Sequence, residues 1–353
     1  MKIFALFDEL LLRNGSDLHL GIGYPPLARV KGDLTPLREA VVASDEMEQL
    51  LFEIASDEQR DEILQERDLD FAYSYGEKAR FRANYFFKST GIAAVFRTIP
   101  TQISTLEQLG CPPIIRKLAE RRSGLLLVTG PTGSGKSTTL AAMIRHINQN
   151  RACHILTIED PVEFVHPPIM AQVTHREVGP DAGSFASAIR SAGREDPDVI
   201  LIGELRNNET MKLALQLASF GVLVFATVHT NSAPATIDRV VNAFSADEQL
   251  QVRSMLAECL IGVVAQQLMK RADGQGRVAA LEVLVATSGV TAMIRDNKTF
   301  QIPSLMQASQ GVGMQTMDMA LERLVSQRVI SFKAGLEKAS DKEAFEKHVR
   351  ANR

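Results

Sequence analysis

From position 114 to 286 the chain alternates unbroken apolar runs with segments in which apolar residues recur every three or four positions. The runs are Leu125 to Val128, His154 to Ile158, Val199 to Ile202, Val222 to Thr227 and Val278 to Val285. Thr138 to Gln149, Ser184 to Gly193 and Thr210 to Phe220 carry the helical period, the last closed by Gly221. Strands apolar on both faces, separated by helices, predict an α/β fold with a mostly parallel sheet covered on both sides. The first hundred residues follow another rhythm. Phe4, Phe7 and Leu11 mark one face of an N-terminal helix that also carries Asp8 and Glu9, and Ser56 to Gln59 has capping-box spacing. Leu27 to Val30 and Thr35 to Leu37 flank a turn at Lys31-Gly32-Asp33. In Arg80 to Phe87 strict alternation puts Phe81, Ala83, Tyr85 and Phe87 on one face and Arg80, Arg82 and Asn84 on the other; Gly91 to Ile99 follows after a short turn. These elements predict a small α+β domain ending at Ile99-Pro100, then a linker closed by Pro112-Pro113. Beyond Ala286 the periodicity is helical, with Met293, Met306, Met314, Met317 and Met319 as adaptable packing residues.

Composition fits two cores: 353 residues, 45% of them hydrophobic. A net charge of -3 gives no bulk attraction to nucleic acid or to an anionic membrane. Cys111, Cys153 and Cys259 lie far apart without a C-x-x-C, which argues against a disulfide framework and a Cys₄ zinc site and points to the cytosol. The N-terminal stretch lacks a cleavage-site pattern, and no run has the length of a membrane span, so membrane association is expected only through partners.

Candidate chemistry collects just after the apolar runs. Gly130-Pro131-Thr132-Gly133-Ser134-Gly135-Lys136-Ser137-Thr138 fits G-x-x-x-x-G-K-[ST] between a strand and a helix. Glycines there let the backbone wrap a phosphate, the helix N-terminus adds partial positive charge, Lys136 reaches the β- and γ-phosphates, and the Ser137 hydroxyl is placed for Mg²⁺. After the second strand, Glu159, Asp160 and Glu163 bring three carboxylates together, either around a metal, a cation or a reacting water, or as a solvated acidic turn. Following the third, Glu204 stands where P-loop enzymes keep an acid for Mg²⁺, directly or through water. His229, in Thr227-Val228-His229-Thr230-Asn231, occupies the position of a γ-phosphate sensor.

Together these four blocks resemble the ATPases of type II secretion and type IV pili, with a Walker A loop, an acidic Asp box, a Walker B segment ending in glutamate and a His box. The resemblance spans nearly the whole chain. Gly15-Ser16-Asp17-Leu18-His19-Leu20, Arg176-Glu177-Val178-Gly179, Arg194-Glu195-Asp196-Pro197-Asp198 and Gly313-Met314-Gln315-Thr316-Met317-Asp318 narrow it to the pilus retraction (twitching motility) branch, the PilT/PilU family. Extension and secretion relatives carry a longer N-terminal region and a four-cysteine zinc module, which this sequence does not show.

The resemblance implies a PAS-like α+β domain over 1–100, a linker over 101–113, a RecA-like ATPase core over 114–286 and a helical region over 287–353. It implies ATP and Mg²⁺ as ligands, with Ser137 and Glu204 at the metal, and Glu163 as general base or water-positioning group supported by Glu159. His229 would read the γ-phosphate, and Arg82, Arg97, Arg190 and Arg194 would stabilise charge, the first two on a neighbour's nucleotide. The implied assembly is a homo-hexamer at the cytoplasmic face of the inner membrane, engaging a pilus platform protein and no nucleic acid. One departure stands out: the branch motif A-I-R-N-L-I-R-E corresponds to Gly289-Val290-Thr291-Ala292-Met293-Ile294-Arg295-Asp296, with Thr291 replacing its first arginine. A type II secretion or extension motor is the rival within the family. A RecA-like nucleic-acid translocase is the rival outside it, disfavoured by the lack of a basic segment interleaved with aromatics.

Overall fold

A computed structural model describes residues 2–30, 32–76, 78–99 and 102–351. The expected turn residue Lys31 and the expected domain end at Pro100, with Thr101 after it, lie outside the described residues. By its contacts the chain divides into two compact units, Met1–Gln102 with Pro161–Val165, and Ile103–Asp160 with His166–Arg353.

The first unit contains α1 (Ile3–Leu12), β1 (Asp17–Gly21), β2 (Leu27–Val30), β3 (Asp33–Pro36), α2 (Ser44–Phe52), α3 (Asp57–Glu66), β4 (Asp68–Tyr75), β5 (Ala79–Lys88) and β6 (Gly91–Ile99). Its sheet runs β3-β2-β1-β6-β5-β4 with every neighbour antiparallel. The alternation along β5 resolves as expected: Phe81, Ala83 and Tyr85 are buried, while Arg80, Arg82 and Asn84 are only partly covered. Phe7 of α1 stacks on Phe81 at 4.2 Å and meets Phe96 edge-on at 5.1 Å, so aromatic packing fixes the helix to the sheet. Ser56 caps α3 through a reciprocal capping box with Gln59.

The second unit contains α4 (Pro113–Ala119), β7 (Gly124–Thr129), α5 (Lys136–Asn150), β8 (His154–Glu159), β9 (Gln172–Glu177), α6 (Phe185–Ala192), β10 (Val199–Ile202), α7 (Asn208–Ser219), β11 (Leu223–Val228), α8 (Ala233–Asn242), α9 (Ala246–Cys259), β12 (Leu260–Lys270) and β13 (Arg277–Val285). Helices α10 (Ser288–Arg295), α11 (Ile302–Ala308), α12 (Met317–Ser326), α13 (Phe332–Lys338) and α14 (Lys342–Ala351) follow. The sheet order is β13-β12-β7-β11-β10-β8-β9, parallel except for the β12–β13 pair. Every residue of β7 and β11 is buried. Alternation sends Leu125 and Leu127 into one core and Leu126 and Val128 into another, the arrangement of a sheet covered on both faces. Val278 to Val285 joins this sheet as an antiparallel edge strand rather than a parallel one. Among the described residues no helix is long and apolar enough to cross a membrane.

The segment between β8 and β9 is tied down by imidazoles. The His166 backbone N–H donates to His175 Nε2 at 3.1 Å, and His175 Nδ1 lies 2.8 Å from the Thr157 hydroxyl. An accepting Nε2 puts the His175 proton on Nδ1, donating to Thr157. His166 itself is buried, its ring stacked on that of His175. Burial, and after it the neighbouring His175, push its pKa down to about 3. The folded value lies below the unfolded one, so the unfolded chain binds the proton first as pH falls. This stability is therefore whole above pH ~6.5 and is lost progressively toward pH ~3. Between pH 7 and pH 5 the group should cost the fold about 2 kcal/mol. Urea midpoints at both pH values should show a smaller loss for His166→Phe than for the wild type, and equal losses would contradict a neutral buried His166.

Candidate nucleotide site

Strands β7, β11, β10 and β8 are sheet neighbours and parallel, so their carboxyl ends form one edge. The chain leaves that edge as 130–138, 229–231, 203–206 and 160–164, which are the four segments singled out in the sequence. Ligands of open α/β sheets gather at such an edge.

Sterics shape the loop after β7. Gly130, Gly133 and Gly135 have φ of 142°, 77° and 88°, values that favour glycine. At Gly130 there is also no space: a Cβ would stand 2.3 Å from the Gln266 backbone oxygen and 2.6 Å from Ser134 Oγ. Helix α5 begins at Lys136, with Gly135 as its N-cap, so its first N–H groups open toward the loop. Lys136 Nζ donates to the carbonyls of Gly130 at 2.8 Å and Pro131 at 3.2 Å, holding its charge at the loop. Ser134 Oγ is buried without a hydrogen-bond partner. A glycine cradle, a helix N-terminus, a held ammonium and an orphaned hydroxyl fit a phosphate chain. Pro131, Thr132 and Gly133 are exposed, and Ser137 and Thr138 half-buried. Thr129, the last residue of β7, accepts the Thr230 N–H at 2.8 Å and so ties this loop to the one after β11.

Glu204 is held on both oxygens. Its Oε2 accepts Arg206 Nε at 2.9 Å, and its Oε1 lies 3.4 Å from His229 Nε2. Arg206 Nη1 also stands 4.0 Å from Asp160 Oδ2, linking the segments after β10 and β8. Beside them Glu159 is buried, and a Cβ on Gly203 would lie 3.4 Å from the Glu159 Cα. The structure thus brings Glu159, Asp160, Glu204 and His229 to one edge. Two participants escaped the sequence reading. Arg206 sits two places after Glu204 in the same motif, a local signal. Gln266 of β12, which contacts the phosphate loop, is more than a hundred residues away and gave none.

Glu163 belongs, with its neighbours 161–165, to the first compact unit by contact, although its flanking strands lie in the second. Arg82 and Arg97 lie in the first unit, directly opposite each other on β5 and β6. Like charges in that position repel, and each is met by an acid. Arg82 pairs with Asp70, while Arg97 Nε donates to Asp17 Oδ1 at 2.9 Å. Burial would raise the Asp17 carboxyl, yet hydrogen bonds from Ser16 and Arg97 and the Arg97 charge outweigh it and hold the pKa below its ordinary value. In the second unit Arg190 of α6 pairs with Glu209, and Arg194 is exposed just past the end of that helix.

The family model for type II/IV secretion system proteins matches residues 62–334. The type IV pilus retraction ATPase PilT of Pseudomonas aeruginosa is 46% identical over 345 residues, covering 98% of this chain and 100% of that one. A twitching motility protein of Neisseria gonorrhoeae is 48% identical over 320 residues, 91% of this chain and 86% of its own. A crystal structure of the pilus retraction motor PilT with bound ADP matches with a TM-score of 0.92 at 40% identity, covering 98% of this chain and 99% of that one. Full-length identity at this level, on a sheet whose carboxyl edge carries these four segments, makes the chain a member of the type II/IV secretion system protein family, within its pilus retraction (PilT) group.

Proposed function

We propose that this chain is an ATP-hydrolysing motor that powers type IV pilus retraction. The observation that carries the reading is the convergence of the phosphate cradle, Glu204 and His229 on one carboxyl edge, in a chain aligned end to end with a pilus retraction ATPase. ATP supplies the phosphoryl group, and Mg²⁺ when bound neutralises charge on its oxygens. The chain's own groups do the rest. Loop N–H groups, the Ser134 hydroxyl and Lys136 bind phosphate; Ser137 and Glu204 would hold the metal, and His229, beside Glu204, reads the γ-phosphate. Among the described residues no group of three or more His, Cys, Asp or Glu is disposed to hold a metal. A Mg²⁺ site of two protein groups completed by phosphate and water oxygens is the usual form for this ion. Glu163 takes the proton of the attacking water, with Glu159 in support, and Arg190 and Arg194 offset the developing charge.

Arg82 and Arg97 are assigned to a neighbouring subunit's nucleotide in a homo-hexameric ring. Two arginines stand directly opposite each other although like charges there repel, and Arg97 keeps 70% of its side-chain surface exposed despite its pairing with Asp17. An arginine supplied in trans makes hydrolysis depend on assembly and couples it to relative domain motion. The ring works at the cytoplasmic face of the inner membrane against a platform protein.

Lys136→Ala should lower ATP turnover by about 100-fold or more, because fixed positive charge leaves the transition state. Glu163→Gln should keep nucleotide affinity and lose turnover, and Glu204→Ala should raise the Mg²⁺ requirement. Turnover within a few-fold of wild type for Lys136→Ala, or turnover that requires single-stranded DNA, contradicts the reading. Mixing Arg97→Ala with Lys136→Ala under subunit exchange should restore activity, greatest near equal proportions, since some interfaces regain an intact loop and a donated arginine. No recovery at any ratio, with exchange verified, places Arg97 in its own chain's chemistry or in structure alone.

A further inference from the structure

Gln266 has no assigned role; two of its groups meet the phosphate loop and a third meets the first turn of α5. Beyond the last registered pair of the β12–β7 ladder, Ala265 with Thr129, it stands beside Gly130. The side chain is buried. Its Nε2 donates to the Ser134 carbonyl at 2.7 Å, and its Oε1 accepts the Thr139 hydroxyl at 2.8 Å. Nε2 would also be 2.9 Å from a Cβ at Gly135, and the backbone carbonyl closes the space beside Gly130.

We propose that Gln266 is a positioning residue that aims the Gly135 N–H of the phosphate loop at the nucleotide by gripping the carbonyl of the same peptide; this rests on the nucleotide-site reading above. In a trans peptide the C=O and N–H point in opposite directions. Fixing the Ser134 carbonyl against β12 therefore fixes the Gly135 N–H away from it, toward the open side of the loop. The carbonyl can only accept, so it dictates which end of the amide faces it, and the Thr139 hydroxyl satisfies the other end. One amide thereby locks the loop to the first turn of α5, and both to β12. Leucine at 266 fills similar space but leaves the Ser134 carbonyl and Thr139 hydroxyl without their partner. Glutamate, when ionised, sets an oxygen against the carbonyl in place of the donor.

The test uses full-length protein, with ADP affinity by calorimetry, kcat and KM for ATP, and the thermal midpoint. Gln266→Leu is expected to weaken ADP binding and kcat/KM by about 10- to 100-fold, the loss typical of removing a group that orients a binding group. Gln266→Glu is expected to share that loss at pH ~8 and to recover part of it at pH ~6, each against wild type at the same pH, because a protonated carboxyl donates again. Space filling alone gives no such pH-dependent recovery. ADP affinity and kcat/KM within about twofold of wild type for Gln266→Leu overturn the proposal. If that variant does not melt cooperatively, Thr139→Val decides, since it keeps the volume and removes one anchor. Weaker ADP binding at a preserved thermal midpoint supports the proposal, and unchanged binding overturns it. Failure of the wild type to bind ADP, or binding by Lys136→Ala equal to it, would instead overturn the nucleotide reading.

Discussion

The closest constraint in the second unit is the contact between Gly130 and β12. A side chain there would collide with the Gln266 carbonyl, so only glycine lets the chain leave β7 while β12 keeps its parallel register. The site depends on that approach. Six residues, 130–135, separate the end of β7 from Lys136, where α5 starts, and the helix N-terminus opens onto the sheet's carboxyl edge. The neighbouring strands β11 and β10 then need only short exits to bring His229 and Glu204 to the same edge.

Electrostatics impose a second order. Polar groups at the edge occur as paired sets: Glu204 with His229 and Arg206, and Arg206 again with Asp160. In the first unit Asp17 and Asp70 do the same for Arg97 and Arg82. Groups already held by partners keep their orientation, and ion pairs of this kind can exchange partners. A motor needs such exchangeable contacts, because bound phosphate can bias a two-state element only through interactions that differ between its states.

What the sequence revealed was local. The glycine spacing of the phosphate loop, the apolar runs of β7, β8, β10 and β11, the alternation along β5 and the Ser56 cap are each written within a few adjacent residues. What it hid depends on distant partners or on missing punctuation. Strand β12 went unanticipated because α9 passes into it at Cys259–Leu260 with no glycine or proline between them. With β12 hidden, Gln266 was hidden too. The His166–His175–Thr157 tie joins residues whose separation has no motif, and contact alone assigns Pro161–Val165, with Glu163, to the first unit. The acids opposite Arg82 and Arg97 come from β4 and β1, a pairing visible only once the strand order β1-β6-β5-β4 is known.

The central claim is that hydrolysis at this edge drives retraction. It is tested most directly by deleting the gene, restoring it as wild type or as Lys136→Ala, and counting pili on the cell surface. The account predicts that pili accumulate in the deletion, return to normal with the wild type and stay in excess with Lys136→Ala. Loss of surface pili on deletion would contradict it and make the chain an assembly motor.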